Sequence, residues 1–307
     1  MKKLFITLLA AGATLAASAV DSYKEFFKLE LSDGTVTTVN VKDIAKMSFE
    51  KQNLFKSFNG YLLVSSTYFK DTYYGNDAVV SIYNNDNGEY FIEFSDPTWG
   101  DARFEKVSMS GGTLSGEGTI AMAKHGSTEK TSYTATISGA MTSPVITATL
   151  GAMGEVSINF NVGTAPDKYT VPGTYSGTMT CSVGGLYNYD ADATSVIVEF
   201  NSDETINVTI KEHSYDNTVI GTLTLGELVI PNIPKDSKTG AYTLAYSSIT
   251  EHFKCVSSTG ITTIDKDYNA SGTLTVTKTD TGIKVENADY KLGAMPYALS
   301  QSYTGTK

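Results

Sequence analysis

The feature that most narrows what this chain can fold into is a period of two. From residue 54 onward, apolar and polar residues alternate in short runs, and clusters of Gly, Asn and Asp cut the runs apart. Successive side chains of a strand point to opposite faces, so such alternation marks strands with one face in a core and one face wet. Candidate strands cover 61–66, 77–83, 89–94, 103–109, 113–123, 132–138, 145–150 and 155–162. The breaks carry fitting chemistry: Asn84-Asn85-Asp86-Asn87-Gly88 signals a hairpin, and Gly111-Gly112 and Gly163 to Pro166 are turns. Eight short strands in about 110 residues point to a sandwich or a barrel.

A second series follows Pro166 and Asp167, over 174–183, 194–200, 205–211, 219–230, 241–249, 252–256, 272–277, 282–288 and 295–304. The two series look like copies. Gly151 to Thr164 aligns without a gap on Gly293 to Thr306; both open Gly-Ala-Met and both close Gly-Thr. Phe58-Asn59-Gly60-Tyr61 corresponds loosely to Val171-Pro172-Gly173-Thr174-Tyr175 at the opposite ends. Matches at both ends favour a duplication. Ahead of the copies, Phe27 to Leu31 and Thr35 to Val41 read as a hairpin about Ser32-Asp33-Gly34. A lone two-stranded hairpin is marginal, so it is expected to dock on the next domain.

Charge limits the partners. The 307 residues hold 23 basic and 33 acidic side chains, net −10, and Arg103 is the sole arginine. Nucleic acids and anionic membranes are bound through basic surfaces, so neither fits. The N-terminus reads as an export signal: Lys2 and Lys3, an apolar run from Leu4 to Ala16, then Ala17-Ser18-Ala19 as a cleavage site. Its removal takes two lysines and no acid, so −10 becomes −12. The run is too short for an anchor, and no later stretch is long and apolar enough to span a bilayer as a helix. No cysteine lies near the cleavage site, so no lipid anchor is expected. The expected organisation is a signal peptide at 1–19, a hairpin leader at 20–53, and domains at 54–165 and 166–307. The expected location is periplasmic, secreted or cell-surface. Export permits a disulfide, and Cys181 and Cys255 are the candidates; two separate buried thiols are the alternative.

Three stretches carry a family resemblance. Gly173-Thr174-Tyr175-Ser176-Gly177-Thr178-Met179-Thr180 resembles the opening strand of the calycin-like β-barrel domains of exported Bacteroides-type proteins. Leu223 to Pro234 resembles their central strand with its Pro-rich exit, and Gly272 to Lys278 with Leu292 to Leu299 resembles their closing pair. Coverage is good over 170–307 and weaker over 54–164. The resemblance implies an all-β chain of two tandem antiparallel up-and-down barrels, lipocalin-like and eight-stranded, behind the hairpin. Such a barrel is either filled by side chains or holds one small ligand. The Gly-x-Trp signature of true lipocalins is absent; the single tryptophan, Trp99, sits in a turn.

Chemistry is scarce by comparison. No Ser is flanked by Gly at −2 and +2, and no phosphate loop, dinucleotide fingerprint or H-E-x-x-H occurs. His125, His213 and His252 are far apart and read as solvated strand or turn residues. Asp265 to Ser271 has the oxygen spacing of a calcium loop but lacks Gly at its sixth position and Glu at its twelfth, so it reads as a polar turn. No enzyme activity, metal or cofactor is expected. The positive signal is aromatic: Tyr68, Phe69, Tyr73 and Tyr74 in one apparent loop, with Tyr187 and Tyr189 in the comparable loop of the second half. Tyr73, Tyr74, Tyr187 and Tyr189 are therefore candidate ligand-binding residues at barrel mouths, for a small hydrophobic or glycan ligand. The expected function is binding of a small, partly apolar ligand in a cavity of roughly 300 Å³ or more. The alternative is an envelope interaction protein with filled barrels that engages protein or glycan partners.

Overall fold

A computed structural model describes residues 26–30, 35–41, 44, 51–123, 127–191, 193–295 and 297–307. The export signal and His125 lie outside the described residues. The leader forms β1 (Phe26–Glu30) and β2 (Val36–Asn40), paired antiparallel. Among the described residues this hairpin forms a two-stranded sheet of its own.

The first unit runs β3 (Gln52–Ser65), β4 (Thr72–Tyr73), β5 (Ala78–Asn85), β6 (Tyr90–Asp96) and β7 (Gly100–Ser110). It continues β8 (Thr113–Ala123), β9 (Lys130–Ala140), β10 (Ser143–Thr149) and β11 (Glu155–Val162). Each long strand pairs with the next, and β11 pairs back onto β3, which closes an eight-stranded barrel; β4 is a short addition to β3. Closure removes both sheet edges. One close approach permits it: a Cβ on Gly60 would sit 2.1 Å from the Asn161 carbonyl oxygen. The inward faces are apolar throughout, with Leu62, Ile92, Phe104, Ile146, Ile158 and Phe160 sealed from solvent. The buried polar side chains here, Asn85 and Asp96, belong to hairpin turns, where they accept neighbouring backbone N–H groups. The interior is apolar and sealed from solvent.

A single helical turn, α1 (Asp167–Thr170), leads to the second unit. Its strands are β12 (Gly173–Val183), β13 (Tyr187–Asp190), β14 (Thr194–Phe200), β15 (Ile206–Ile210), β16 (His213–Thr218) and β17 (Gly221–Leu225). They continue β18 (Leu228–Ile233), β19 (Tyr242–Val256), β20 (Thr262–Lys278), β21 (Gly282–Leu292) and β22 (Leu299–Thr306). This sheet departs from the expected regular cylinder. Its ladder runs from β16 through β17, β19, β20, β21, β22, β12, β14 and β15 to β18 and does not close. The wall is completed by chain continuity, since β15 passes into β16 and β17 into β18 across two residues each. Strands β18 and β19 meet only near their shared turn, at the Lys235–Tyr242 bridge and where Thr243 N–H donates to Pro234 O. The Asp265–Ser271 stretch is neither a calcium loop nor a turn. It lies inside β20, whose alternation places Asp265 and Asp267 on one face beside Lys254 and His252 of β19.

Both barrels place a glycine of the first strand against the last strand. A Cβ on Gly177 would sit 2.0 Å from Thr304 O, as Gly60 faces Asn161 O. The copies therefore match Gly60 to Gly177 rather than to Gly173. The shared Gly-Ala-Met turns stand, but one residue more separates Met295 from the closing strand. The gapless alignment slips there by one position, and a slip of one reverses the faces of a strand.

Candidate functional site

The corrected match shows where the units differ in chemistry. Ile146 pairs with Ile158 inside the first barrel, and at the equivalent positions of the second stand Asn287 and Gln301. These two begin a buried polar belt. Gln301 Nε2 faces the Tyr215 hydroxyl at 3.3 Å and His213 Nε2 at 3.4 Å; its Oε1 accepts from Asn287 Nδ2 at 3.2 Å. Asn287 Oδ1 in turn accepts from the Tyr246 hydroxyl at 3.0 Å. Gly272 makes that last contact fit, since a Cβ there would lie 2.7 Å from Asn287 Oδ1. A second pair lies in the same interior: the Tyr290 hydroxyl donates to Glu251 Oε2 at 2.7 Å.

Two bulges bring that pair inward. On β19, Tyr242 and Tyr246 face the core, and after Ser248 at φ 62° the inward positions become Glu251, Phe253 and Cys255. On β21, Ile283, Val285 and Asn287 face the core, and after Asp289 at φ 53° Tyr290 and Leu292 do. An extra residue in one strand re-aims every side chain beyond it. Without the first bulge His252 would point inward and Glu251 to water. Instead His252 is exposed, held between Asp265 and Asp267 at 3.0 and 2.8 Å.

Burial sets the protonation states. It pushes the Glu251 carboxyl up to about 7, against the opposing pull of the Tyr290 hydroxyl. It holds His213 below the ordinary imidazole range, so that His213 is neutral at pH 7. His213 Nδ1 lies 3.0 Å from Lys211 O, which can only accept, so Nδ1 carries the proton and Nε2 is free to accept from Gln301. The reading of His213 as a solvated residue is thus overturned; it is a core histidine satisfied on both ring nitrogens.

Above the belt lies a cavity of about 120 Å³ with an almost wholly apolar lining. Cys181, Tyr215 and Leu225 contribute to it, and Tyr187, Tyr189 and Ile220 lie towards its mouth. The Val219 N–H faces the Tyr189 hydroxyl at 3.4 Å, which ties the β16–β17 turn to β13. Two of the four aromatic candidates therefore come together on one cavity. The other two do not. Tyr73 stacks on Tyr169 of α1 at 6.3 Å, and Tyr74 packs edge-on against Trp99 at 5.1 Å, where it caps the first core. Cys181 and Cys255 are both buried free thiols. The candidate bridge is absent because they sit on β12 and β19, with three strands between them along the sheet, whereas a disulfide needs Cα atoms within about 7 Å.

The sequence reading missed Glu251, Tyr246, Tyr290, Asn287 and Gln301. The usable signal was a polar residue at an inward position, Gln301, and it was hidden by the one-residue slip. The bulges hid Glu251 and Tyr290, because period-two reading assumes an unbroken strand.

The second unit is thus an antiparallel meander whose first strand meets its last at a glycine, around a partly polar interior. Residues 171–306 match the model of the calycin-like β-barrel domain family, so the second unit is a calycin-like domain. A crystal structure from Bacteroides fragilis NCTC 9343, described as a "putative outer membrane protein", is similar at 20% identity and a TM-score of 0.48. The similarity covers 82% of this chain and 97% of that one. Among curated proteins none matches the chain. No helix among the described residues is long and apolar enough to cross a membrane.

Proposed function

We propose that this is an exported, non-enzymatic binding protein whose second barrel receives the apolar end of a small ligand. The observation that carries the reading is the contrast between the two interiors. The first is lined with hydrocarbon alone, whereas the second has an apolar cavity above a hydrogen-bonded floor. At about 120 Å³ the cavity is smaller than the expected size. An apolar cavity of roughly 150 Å³ accommodates a benzene ring, so this one suits a single ring or the last few carbons of a chain. The rest of the ligand would lie at the mouth, beside Tyr187. The sealed first barrel then acts as a rigid spacer, which keeps part of the interaction-protein alternative. Cys181, the strongest nucleophile on the cavity wall, has its thiol pushed up to about 11 by burial and stays protonated, which favours binding over catalysis.

The test is displacement of a dansyl fatty acid in solution, without vesicles. Leu223→Phe narrows the cavity and is expected to weaken the probe by about tenfold, since each excluded methylene is worth ~0.8 kcal/mol. Tyr68→Ala, at an exposed position of the first unit, should leave the affinity unchanged. Equal affinities for wild type and Leu223→Phe would rule out the cavity as the site.

A further inference from the structure

We infer that the end of the second unit remote from α1 docks on a neutral, zwitterionic lipid surface, with the cavity opening into the acyl layer. Four turns lie at that end, with described residues 184–186, 219–220, 257–261, and 293–295 with 297–298. Their tips carry Leu186, Val219, Ile261 and Tyr297, which are 81%, 72%, 65% and 67% exposed, with Ile220 and Tyr187 beside them. Scattered apolar side chains are ordinary on a surface; several converging on one end are not. Of the second unit's exposed large apolar residues, Val229 is the one placed elsewhere among the described residues.

The four turns also contain no Asp, Glu, Lys, Arg or His, in a chain that is 18% charged. The opposite end is built differently. Its turns carry Asp203, Glu204, Lys235, Asp236, Lys238 and Asp280. A specific protein partner is usually met with a polar rim and fixed hydrogen-bond partners. A crown of separate apolar tips without charge lacks that pattern and fits a bilayer interface, where Tyr rings favour the headgroup level. The class of lipid follows from charge. The exported chain is strongly acidic and the crown offers no base, so an anionic surface would repel it while a zwitterionic one would not. Val183, Tyr187, Val219, Ile220, Met295 and Leu299, in or beside these turns, line the cavity. A chain end could then pass from the lipid into the cavity without crossing water. That last step deepens the ligand-binding reading and rests on it; the docking itself does not.

The experiment is flotation of the full chain lacking residues 1–19 with phosphatidylcholine vesicles, at low and high salt. Binding is expected, insensitive to salt. Leu186→Asp and Val219→Asp, both at exposed tips, should each lower the bound fraction by at least about tenfold. Val229→Asp should not, and unchanged melting temperatures show that the variants fold. The inference is overturned if wild type stays unbound at every lipid concentration, or if the tip variants bind as well as wild type. It is also overturned if binding requires phosphatidylglycerol and falls with salt. A dimer broken by the tip variants, with no flotation, would make a second copy the occupant instead. Retained dansyl fatty acid binding without flotation would defeat the docking alone, whereas flotation without fatty acid binding would defeat the cavity reading alone.

Discussion

Glu251 is the residue whose environment most conflicts with its chemistry. A carboxyl held near 7 in the fold and near its ordinary value in the unfolded chain is protonated longer in the native state. Between those two values the unfolded chain binds fewer protons, so stability falls as pH rises through that window and levels off above it. Glu251→Gln keeps an acceptor for the Tyr290 hydroxyl and removes the ionisation. It should stabilise the second unit by about 3 kcal/mol near pH 8 and by little near pH 4, which thermal melts at the two pH values will show. His213 acts in the opposite sense. Its lowered value withdraws stability as pH falls through the ordinary imidazole range. Because His213 is common to both proteins, the difference between wild type and Glu251→Gln isolates the carboxyl.

At the scale of the strand, Gly272 is the position on which the belt turns. It lies on β20, between Tyr246 on β19 and Asn287 on β21, and those side chains meet across it. Gly272→Ala places a methyl 2.7 Å from Asn287 Oδ1 and 3.1 Å from the Tyr246 hydroxyl. The expected cost is about 1–3 kcal/mol in urea unfolding, the range for a buried polar group that loses its partner. The strands themselves were largely legible. Each of the eight expected in the first half overlaps an observed barrel strand. The second half was less legible despite its clearer resemblance. β13 and β16 were not foreseen, 219–230 divides at Gly226 and Glu227, and 241–256 is one strand rather than two. Asp265, Lys266, Asp267 and Asn269 have low strand propensity, and β20 runs through them with Asp265 and Asp267 paired to His252 and Lys254 across on β19. Of the site, Tyr187 and Tyr189 could be read from aromatic clustering. The belt could not, because Gln301 was placed on the wrong face by the one-residue slip, and Glu251 and Tyr290 lie beyond bulges that break the period.

Between the units, α1 is held from both sides. Tyr169 contacts Tyr61 and Tyr73 of the first barrel. Asp167 accepts from Lys235 at 2.5 Å and from the Tyr242 hydroxyl at 2.9 Å, and Lys278 donates to the Thr170 hydroxyl at 2.8 Å. A connector tied in this way orients one barrel against the other and directs the uncharged crown away from the junction. Tyr169→Ala combined with Lys235→Ala should broaden the distribution of inter-barrel distances in small-angle scattering. Each barrel should still melt at its own temperature, because neither change reaches a core.

The contact of first strand with last has a further consequence, in time rather than in space. Gly60 meets Val162, and the Tyr303 hydroxyl meets the Tyr175 carbonyl across 128 positions of sequence. Contacts so remote along the chain form slowly, because the entropy of closing the loop is lost before any pairing repays it. A chain emerging from its N-terminus therefore carries the first barrel as a sheet with two bare edges until residue 162 arrives, and the second until its last eight residues do. The glycines that let the walls touch thus also fix the latest moment of folding, after each unit has been delivered whole.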